Sequence, residues 1–93
     1  MSTSIFDVSG KVVAVTGAAG GIGMAVCRQL GTSGATIVMS DINADTLEIG
    51  KAELEKLGVK VSSFLCDTTS ESGVIAYFDY IAKNYGQADI LVQ

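Results

Sequence analysis

The sequence predicts an α/β fold built on a partial, doubly wound parallel sheet of about four strands in the order 3-2-1-4. Three observations predict it. Short apolar runs alternate with segments of helical period, a glycine-rich turn directly follows the first run, and the first two runs are apolar at consecutive positions. Consecutive apolar residues are typical of strands that are covered on both faces. Right-handed crossovers then place helices on both sides of the sheet and the first strand in its interior.

Four runs rich in β-branched or large apolar residues are the predicted strands. In chain order they are Lys11–Thr16, Ala35–Ser40, Val59–Cys66 and Asp89–Gln93. In the order 3-2-1-4 the fourth is an edge strand, and an apolar edge is a site for pairing with another chain. We therefore expect the protein to form a homo-oligomer.

Three helices are predicted between these strands, each with apolar residues on one face. These residues are Ile22, Val26 and Leu30 in the first helix, Leu47, Leu54 and Leu57 in the second, and Val74, Phe78, Ile81 and Tyr85 in the third. Glycines are expected to end the helices: Gly31 and Gly34 the first, Gly58 the second and Gly86 the third. The start of the second helix, Asp45-Thr-Leu-Glu48, resembles a capping box.

Length and composition predict a single small domain spanning residues 1–93, with 48% apolar residues to form its core. Six Lys and Arg residues against ten Asp and Glu give a net charge of −4, which argues against a nucleic-acid partner. Cys27 and Cys66 lie in no CxxC motif, and the chain has no histidine. This pattern argues against a metal site and favours reduced thiols in the cytoplasm.

The N-terminal segment MSTSIFDVSGK lacks the basic region and the long apolar stretch of a signal peptide. No uninterrupted apolar run approaches the roughly 18 residues that a membrane span requires. We therefore expect neither secretion through this segment nor a membrane association.

The glycine-rich turn lies within the motif TGAAGGIG, residues 16–23, which joins the first strand to the first helix. Gly17 is expected to allow a tight turn, while Gly21 and Gly23 remove side chains where a ligand and the preceding strand approach the main chain. The unpaired N–H groups and the positive end of the helix dipole suit a pyrophosphate group. The alternative is a tight turn with close helix–strand packing and no ligand.

Asp41 lies at the end of the second predicted strand, where an acidic side chain can accept hydrogen bonds from an adenosine ribose. The residue after it is Ile42 rather than a lysine or arginine, so a 2′-phosphate would face a carboxylate without a compensating cation. The sequence therefore favours NAD over NADP as the cofactor. The alternative for Asp41 is a solvated or helix-capping carboxylate.

At these residues the chain resembles the short-chain dehydrogenase/reductase family, classical type. The family motif TGxxxGxG is matched in full by residues 16–23. Cys66-Asp67-Thr68 resembles the family's acidic segment after the third strand, in which the aspartate contacts the adenine amino group. ADILVQ, residues 88–93, resembles the fourth strand, although Gln93 stands where the family usually has an asparagine. The resemblance implies a Rossmann-like dinucleotide-binding domain whose cofactor-binding residues are Thr16, Gly17, Gly21, Ile22, Gly23, Asp41, Asp67 and Thr68.

The family transfers a hydride between a nicotinamide cofactor and an alcohol or carbonyl substrate, with proton transfer by a tyrosine and a lysine four residues later. None of the tyrosines in this sequence, at positions 77, 80 and 85, is followed by a lysine at that spacing. The resemblance therefore implies the N-terminal, cofactor-binding portion of a longer enzyme, truncated and inactive alone, with no catalytic residue of its own. A small-molecule substrate would bind only to the full-length enzyme. The alternative is a non-catalytic nucleotide-binding or interaction module.

Overall fold

The structure is a computed structural model that describes residues 7–93, so most of the segment tested above for signal-peptide features lies outside the described residues. Its elements, in chain order, are β1 (Val12–Thr16), α1 (Gly21–Thr32), β2 (Thr36–Asp41), α2 (Ala44–Lys56), β3 (Lys60–Leu65), α3 (Glu71–Tyr85) and β4 (Ile90–Val92). The strands form one parallel sheet in the order β3-β2-β1-β4. This confirms the predicted fold class and strand order, and each strand lies within its predicted run or one residue beyond it.

The two central strands are buried along consecutive residues, as the sequence pattern predicts. Alternate side chains face opposite layers, because successive residues of a strand point to opposite faces. Val13 and Val15 of β1 pack with α1 and α2, whereas Ala14 packs with Tyr77 and Ile81 of α3. The sheet is therefore covered on both faces in the described part of the chain.

The buried face of α1 differs from the predicted one. Its buried residues are Met24, Cys27 and Gly31, while Ile22 is 85% exposed. Gly31 does not end the helix but lies inside it, and a Cβ atom there would come within 2.5 Å of Val59 Cγ1. The prediction was wrong because a glycine that admits close packing and a glycine that ends a helix are indistinguishable in the sequence.

The helix α2 begins two residues earlier than the predicted capping box. Asn43 is the N-cap residue, and its Oδ1 accepts a hydrogen bond of 3.1 Å from the N–H of Thr46. Asp45 lies in the first turn instead of capping it. Leu57, expected on the buried face, follows the last helical residue and is 50% exposed. Gly58 has a φ of +79° and follows the helix as predicted.

The edge strand β4 is fastened to β1 at its start by Asp89. The N–H of Asp89 donates to the carbonyl of Val12 and the N–H of Val12 donates to Asp89 Oδ2, each at 2.8 Å. Leu91 of this strand is 44% exposed. From β1 the chain proceeds to β2 and β3 on one side, and after α3 it crosses back to place β4 on the other side of β1. Ligands of doubly wound sheets bind at such a reversal, at the carboxyl ends of the strands.

Candidate functional site

The glycine-rich turn, residues 17–20, lies at the carboxyl end of β1 and leads into α1. Gly17 has a φ of +63°, a conformation that side chains disfavour. A Cβ atom at Gly23 would lie 2.4 Å from the Gly17 carbonyl oxygen and 2.9 Å from Ala18 Cα. Gly23 therefore allows the close approach of the helix to the turn, at Gly17 and Ala18, rather than to the strand β1 itself.

The first turn of α1 is open to an anion. Gly20 is the N-cap residue and provides no side-chain cap, and the first turn contains no acidic residue. A Cβ atom at Gly21 would meet nothing within 4 Å, so space lies in front of this main chain. Unpaired N–H groups and the positive end of the helix dipole in such a place attract phosphate groups.

Asp41, the last residue of β2, is joined to the glycine-rich turn. Its Oδ2 accepts a hydrogen bond of 3.0 Å from the N–H of Ala19. Its Oδ1 accepts hydrogen bonds from the N–H groups of Ile42 at 2.8 Å and Asn43 at 3.1 Å. The carboxylate therefore lies between the turn and the start of α2, at the carboxyl end of the sheet.

Asp67 and Thr68 follow β3 at the same edge of the sheet. Oδ1 of Asp67 accepts hydrogen bonds from the side-chain hydroxyl and the main-chain N–H of Thr69. These bonds stabilise the ionised form and hold the pKa of Asp67 below its usual value, and the bond from the Thr69 hydroxyl has the larger effect. Asp67 is half-buried and its carboxylate is ionised, so it can accept a hydrogen bond from an amino group.

Two clefts open on opposite faces of the β1–β4 pair. The cleft on the α3 side has a volume of about 170 Å³ and includes Thr68, Tyr77 and Leu91 in its lining. The cleft on the α1 side has a volume of about 340 Å³ and is lined by Ile22, Val26 and Val92, among others. Thr16 and Gln93 line both clefts. The exposure of Ile22 is thus explained by its position at the mouth of a cleft rather than in the core.

The structure brings most of the predicted site residues together at this edge. The glycine-rich motif runs from the end of β1 through the turn into α1. Asp41 contacts the turn through Ala19, and Thr68 shares a cleft with Thr16. Asp67 lies beside Thr68 but lines neither cleft. The contact made by Ala19 was not predicted, because it is made by the main chain and no side-chain pattern reveals it.

The tyrosine that is most buried has a packing role. Tyr77 is 0% exposed, and its hydroxyl donates a hydrogen bond to the carbonyl of Val38. Burial raises the pKa of this phenol, so it keeps its proton near neutral pH. The hydroxyl of Tyr85 is 2.8 Å from Ser62 Oγ, away from the glycine-rich turn.

The described residues, 7–93, contain neither a candidate membrane span nor a candidate metal cluster. None of the helices there has the length and apolar character needed to span a bilayer. No three His, Cys, Asp or Glu side chains in that range are grouped in a way that could hold a metal ion.

Known proteins are similar to this chain in sequence. Residues 11–93 match the profile of the family described as short chain dehydrogenase. The chain is 39% identical over 93 residues to the 2-dehydro-3-deoxy-D-gluconate 5-dehydrogenase of Formosa agariphila, in an alignment covering 99% of this chain and 35% of that protein. The chain spans about a third of the length of the curated relatives it matches.

Solved structures are similar to it in fold. A crystal structure of NAD+-bound xylitol dehydrogenase aligns with a TM-score of 0.86 at 39% identity, covering 90% of this chain and 32% of that one. An L-sorbose reductase from Gluconobacter frateurii, complexed with NADPH and L-sorbose, aligns with a TM-score of 0.86 at 36% identity. That alignment covers 92% of this chain and 34% of the reductase chain. Similar structures therefore include one with NAD+ and one with NADPH.

Proposed function

Because the chain belongs to the short-chain dehydrogenase family, we propose that it is the N-terminal, cofactor-binding portion of an oxidoreductase. The whole enzyme would transfer a hydride between a nicotinamide cofactor and an alcohol or carbonyl substrate. The observation that carries the proposal is the uncapped start of α1 beside Asp41, with open space in front of Gly21. A pyrophosphate and the adjoining ribose need such an anion site next to such an acceptor.

Each proposed contact uses a group that the chain offers at this edge of the sheet. The N–H groups of Gly21, Ile22 and Gly23 bind the pyrophosphate, and Asp41 accepts a hydrogen bond from the adenosine ribose. Asp67 accepts one from the adenine amino group, because it is ionised and only half-buried. Thr16, Gly17 and Thr68 complete the proposed site, in a single dinucleotide-binding domain. The nicotinamide, once bound, supplies or accepts the hydride.

We propose that the cofactor is NAD rather than NADP. A 2′-phosphate brings about −1.5 to −2 charges close to the Asp41 carboxylate. Repulsion between two unit charges about 4 Å apart costs about 1 kcal/mol in water, so the phosphate charge costs about 1.5–2 kcal/mol there and more where solvent is excluded. We therefore expect NAD to bind at least about tenfold more tightly than NADP.

Isothermal titration calorimetry of the 93-residue chain with both dinucleotides tests the preference. An affinity for NADP that equals or exceeds the affinity for NAD would show that Asp41 does not select against the 2′-phosphate. Absence of binding by either dinucleotide would count against the cofactor site as a whole.

We further propose that this chain has no catalytic activity by itself, because the proton-transferring tyrosine and lysine are not at the family's spacing in residues 1–93. A parent gene that continues with Asn-Ala-Gly after Gln93 and later encodes Tyr-x-x-x-Lys would support the enzyme. A stop codon directly after Gln93 would favour a non-catalytic nucleotide-binding module.

The proposed location is the cytoplasm, and the proposed assembly is a homo-oligomer. Cys27 is buried, Cys66 is half-buried, and neither forms a disulfide. Unpaired thiols are usual in a reducing compartment. The apolar edge of β4 supports self-association, because unpaired strand edges recruit other strands. Localisation of a tagged protein by cell fractionation tests the first proposal.

A further inference from the structure

The carboxylate of Asp41 accepts hydrogen bonds from the main chain of the protein itself. Three main-chain N–H groups donate to it, one from the glycine-rich turn at Ala19 and two from the start of α2 at Ile42 and Asn43. A carboxylate has about four acceptor positions, so roughly one is left for a ribose hydroxyl. A carboxylate whose only task was to bind ribose would not need these partners.

The glycine-rich turn has few other connections to the sheet. The N–H of Ala18 donates to the carbonyl of Ser40 at 3.0 Å, and the bond from Ala19 to Asp41 is the second link to this end of β2. Glycine-rich segments lose more conformational freedom on ordering than others do. Bonds to a charged acceptor are roughly twice as strong as neutral ones, so the Asp41 link is the stronger of the two.

We propose that Asp41 is also a positioning residue that holds the glycine-rich turn in its phosphate-binding shape before a cofactor arrives. This inference rests on the proposed function and adds to it. It follows that replacing Asp41 does more than remove a barrier to the 2′-phosphate of NADP. The replacement also loosens the turn on which the pyrophosphate of either dinucleotide depends.

Amide hydrogen exchange of the ligand-free chain, measured by NMR, tests the positioning role. In Asp41→Asn the side-chain carbonyl can keep the bonds from Ile42 and Asn43, while its amide group faces the N–H of Ala19 and cannot accept. We expect the Ala19 amide to exchange at least about tenfold faster, a change of about 1.4 kcal/mol, with little change at Ile42 and Asn43. In Asp41→Ala all three amides are expected to exchange faster.

Two controls separate this effect from others. Asp45→Asn removes the same charge from the exposed first turn of α2, where Asp45 makes no side-chain hydrogen bond to any of residues 7–93, and is expected to leave Ala19 unchanged. The amide of Val38, in the middle of β2, reports opening of the whole sheet. Unchanged exchange at Ala19 in both Asp41 variants would overturn the proposal. Equal acceleration at Ala19 and Val38 would overturn it as well, because the effect would then be global.

Titration with inorganic pyrophosphate connects the positioning role to binding. Asp41→Asn and Asp45→Asn each lose one negative charge, but Asp41 contacts the turn. Charge alone would therefore make Asp41→Asn bind an anion at least as tightly as Asp45→Asn, so weaker binding by Asp41→Asn reports the lost hydrogen bond. We expect Asp41→Asn to bind pyrophosphate at least about threefold more weakly than Asp45→Asn, and equal or tighter binding would overturn the proposal. The exchange experiment uses no ligand, so a failure of dinucleotide binding and a failure of the positioning role are distinguishable.

Discussion

Gly21 and Gly23 form a matched pair in the first turn of α1, because the same substitution has opposite consequences at the two positions. In Gly23→Ala the new methyl group would lie 2.4 Å from the Gly17 oxygen and 2.9 Å from Ala18 Cα. Both neighbours are main-chain atoms, so no side chain can rotate away. In Gly21→Ala the methyl group would meet nothing within 4 Å.

Overpacking of this kind lowers the free energy of unfolding by about 1–3 kcal/mol. The higher helix propensity of alanine offsets at most about 1 kcal/mol of that loss. Gly23→Ala should therefore lower the free energy of unfolding by about 1–2 kcal/mol. For a domain of this size that corresponds to a fall in Tm of about 5–15 °C. Gly21→Ala should be neutral or stabilising by up to about 0.5–1 kcal/mol, because it gains propensity without a clash.

Thermal and urea unfolding, followed by circular dichroism, measure both variants beside the parent chain. Gly21→Ala should nonetheless weaken dinucleotide binding in calorimetry, because its methyl group occupies the space proposed for the pyrophosphate. Equal stability of the two variants would refute the reasoning about Gly23. Unchanged dinucleotide affinity in Gly21→Ala would refute the proposed place of the pyrophosphate.

Three further outcomes are expected. The purified 93-residue chain should oxidise NADH with ketones and aldehydes no faster than background in a spectrophotometric assay, and enzyme-like turnover would contradict this. It should self-associate in size-exclusion chromatography, and Leu91→Lys should shift it towards monomer; a parent chain that stays monomeric at high concentration would contradict pairing through β4. Burial raises the pKa of Cys27 from 9.0 to about 11, so the folded chain holds this proton more tightly than the unfolded one. Stability should therefore fall as pH rises from about 9 towards 11, and Cys27→Ala should reduce this slope in thermal melts, while Tyr77, whose pKa burial also raises, still contributes above about pH 10; an identical slope in the variant would contradict the assignment.

The strand order was predictable because it depends on features that a sequence displays. The consecutive apolar residues of the first two runs indicated central strands, and the glycine-rich turn indicated a crossover into a helix. The structure confirms the central strands through the burial of Val13–Val15 and Ile37–Ser40, and it confirms the turn through its position between β1 and α1. The order of the elements along the chain and the runs of apolar residues are both visible in the sequence, so the strand order can be predicted from them.

The N-cap of α2 and the buried face of α1 were not predictable, because more than one residue in each helix satisfied the same sequence rule. Asn43 and Asp45 are both good N-cap residues, and the choice depends on where β2 ends. Ile22 continues the four-residue spacing of Val26 and Leu30, yet it lies at a cleft because the helix packs through Met24 and Cys27. The hydrogen bond from Ala19 to Asp41 involves a main-chain donor, for which residue identity carries no signal.

The attachment of β4 to β1 has a consequence for how the chain folds. The bond between Val12 and Asp89 joins residues 77 positions apart in the sequence, whereas β1, β2 and β3 pair through much shorter connections. Contacts between distant residues form late, because closing a long loop costs entropy before any contact compensates for it. We expect β1 to be a temporary edge strand during synthesis, open to pairing with other chains until β4 docks. Because β4 docks late, Asp89→Asn should mainly speed unfolding in stopped-flow experiments and leave the refolding rate nearly unchanged, whereas slower refolding would show that β4 docks in or before the rate-limiting step.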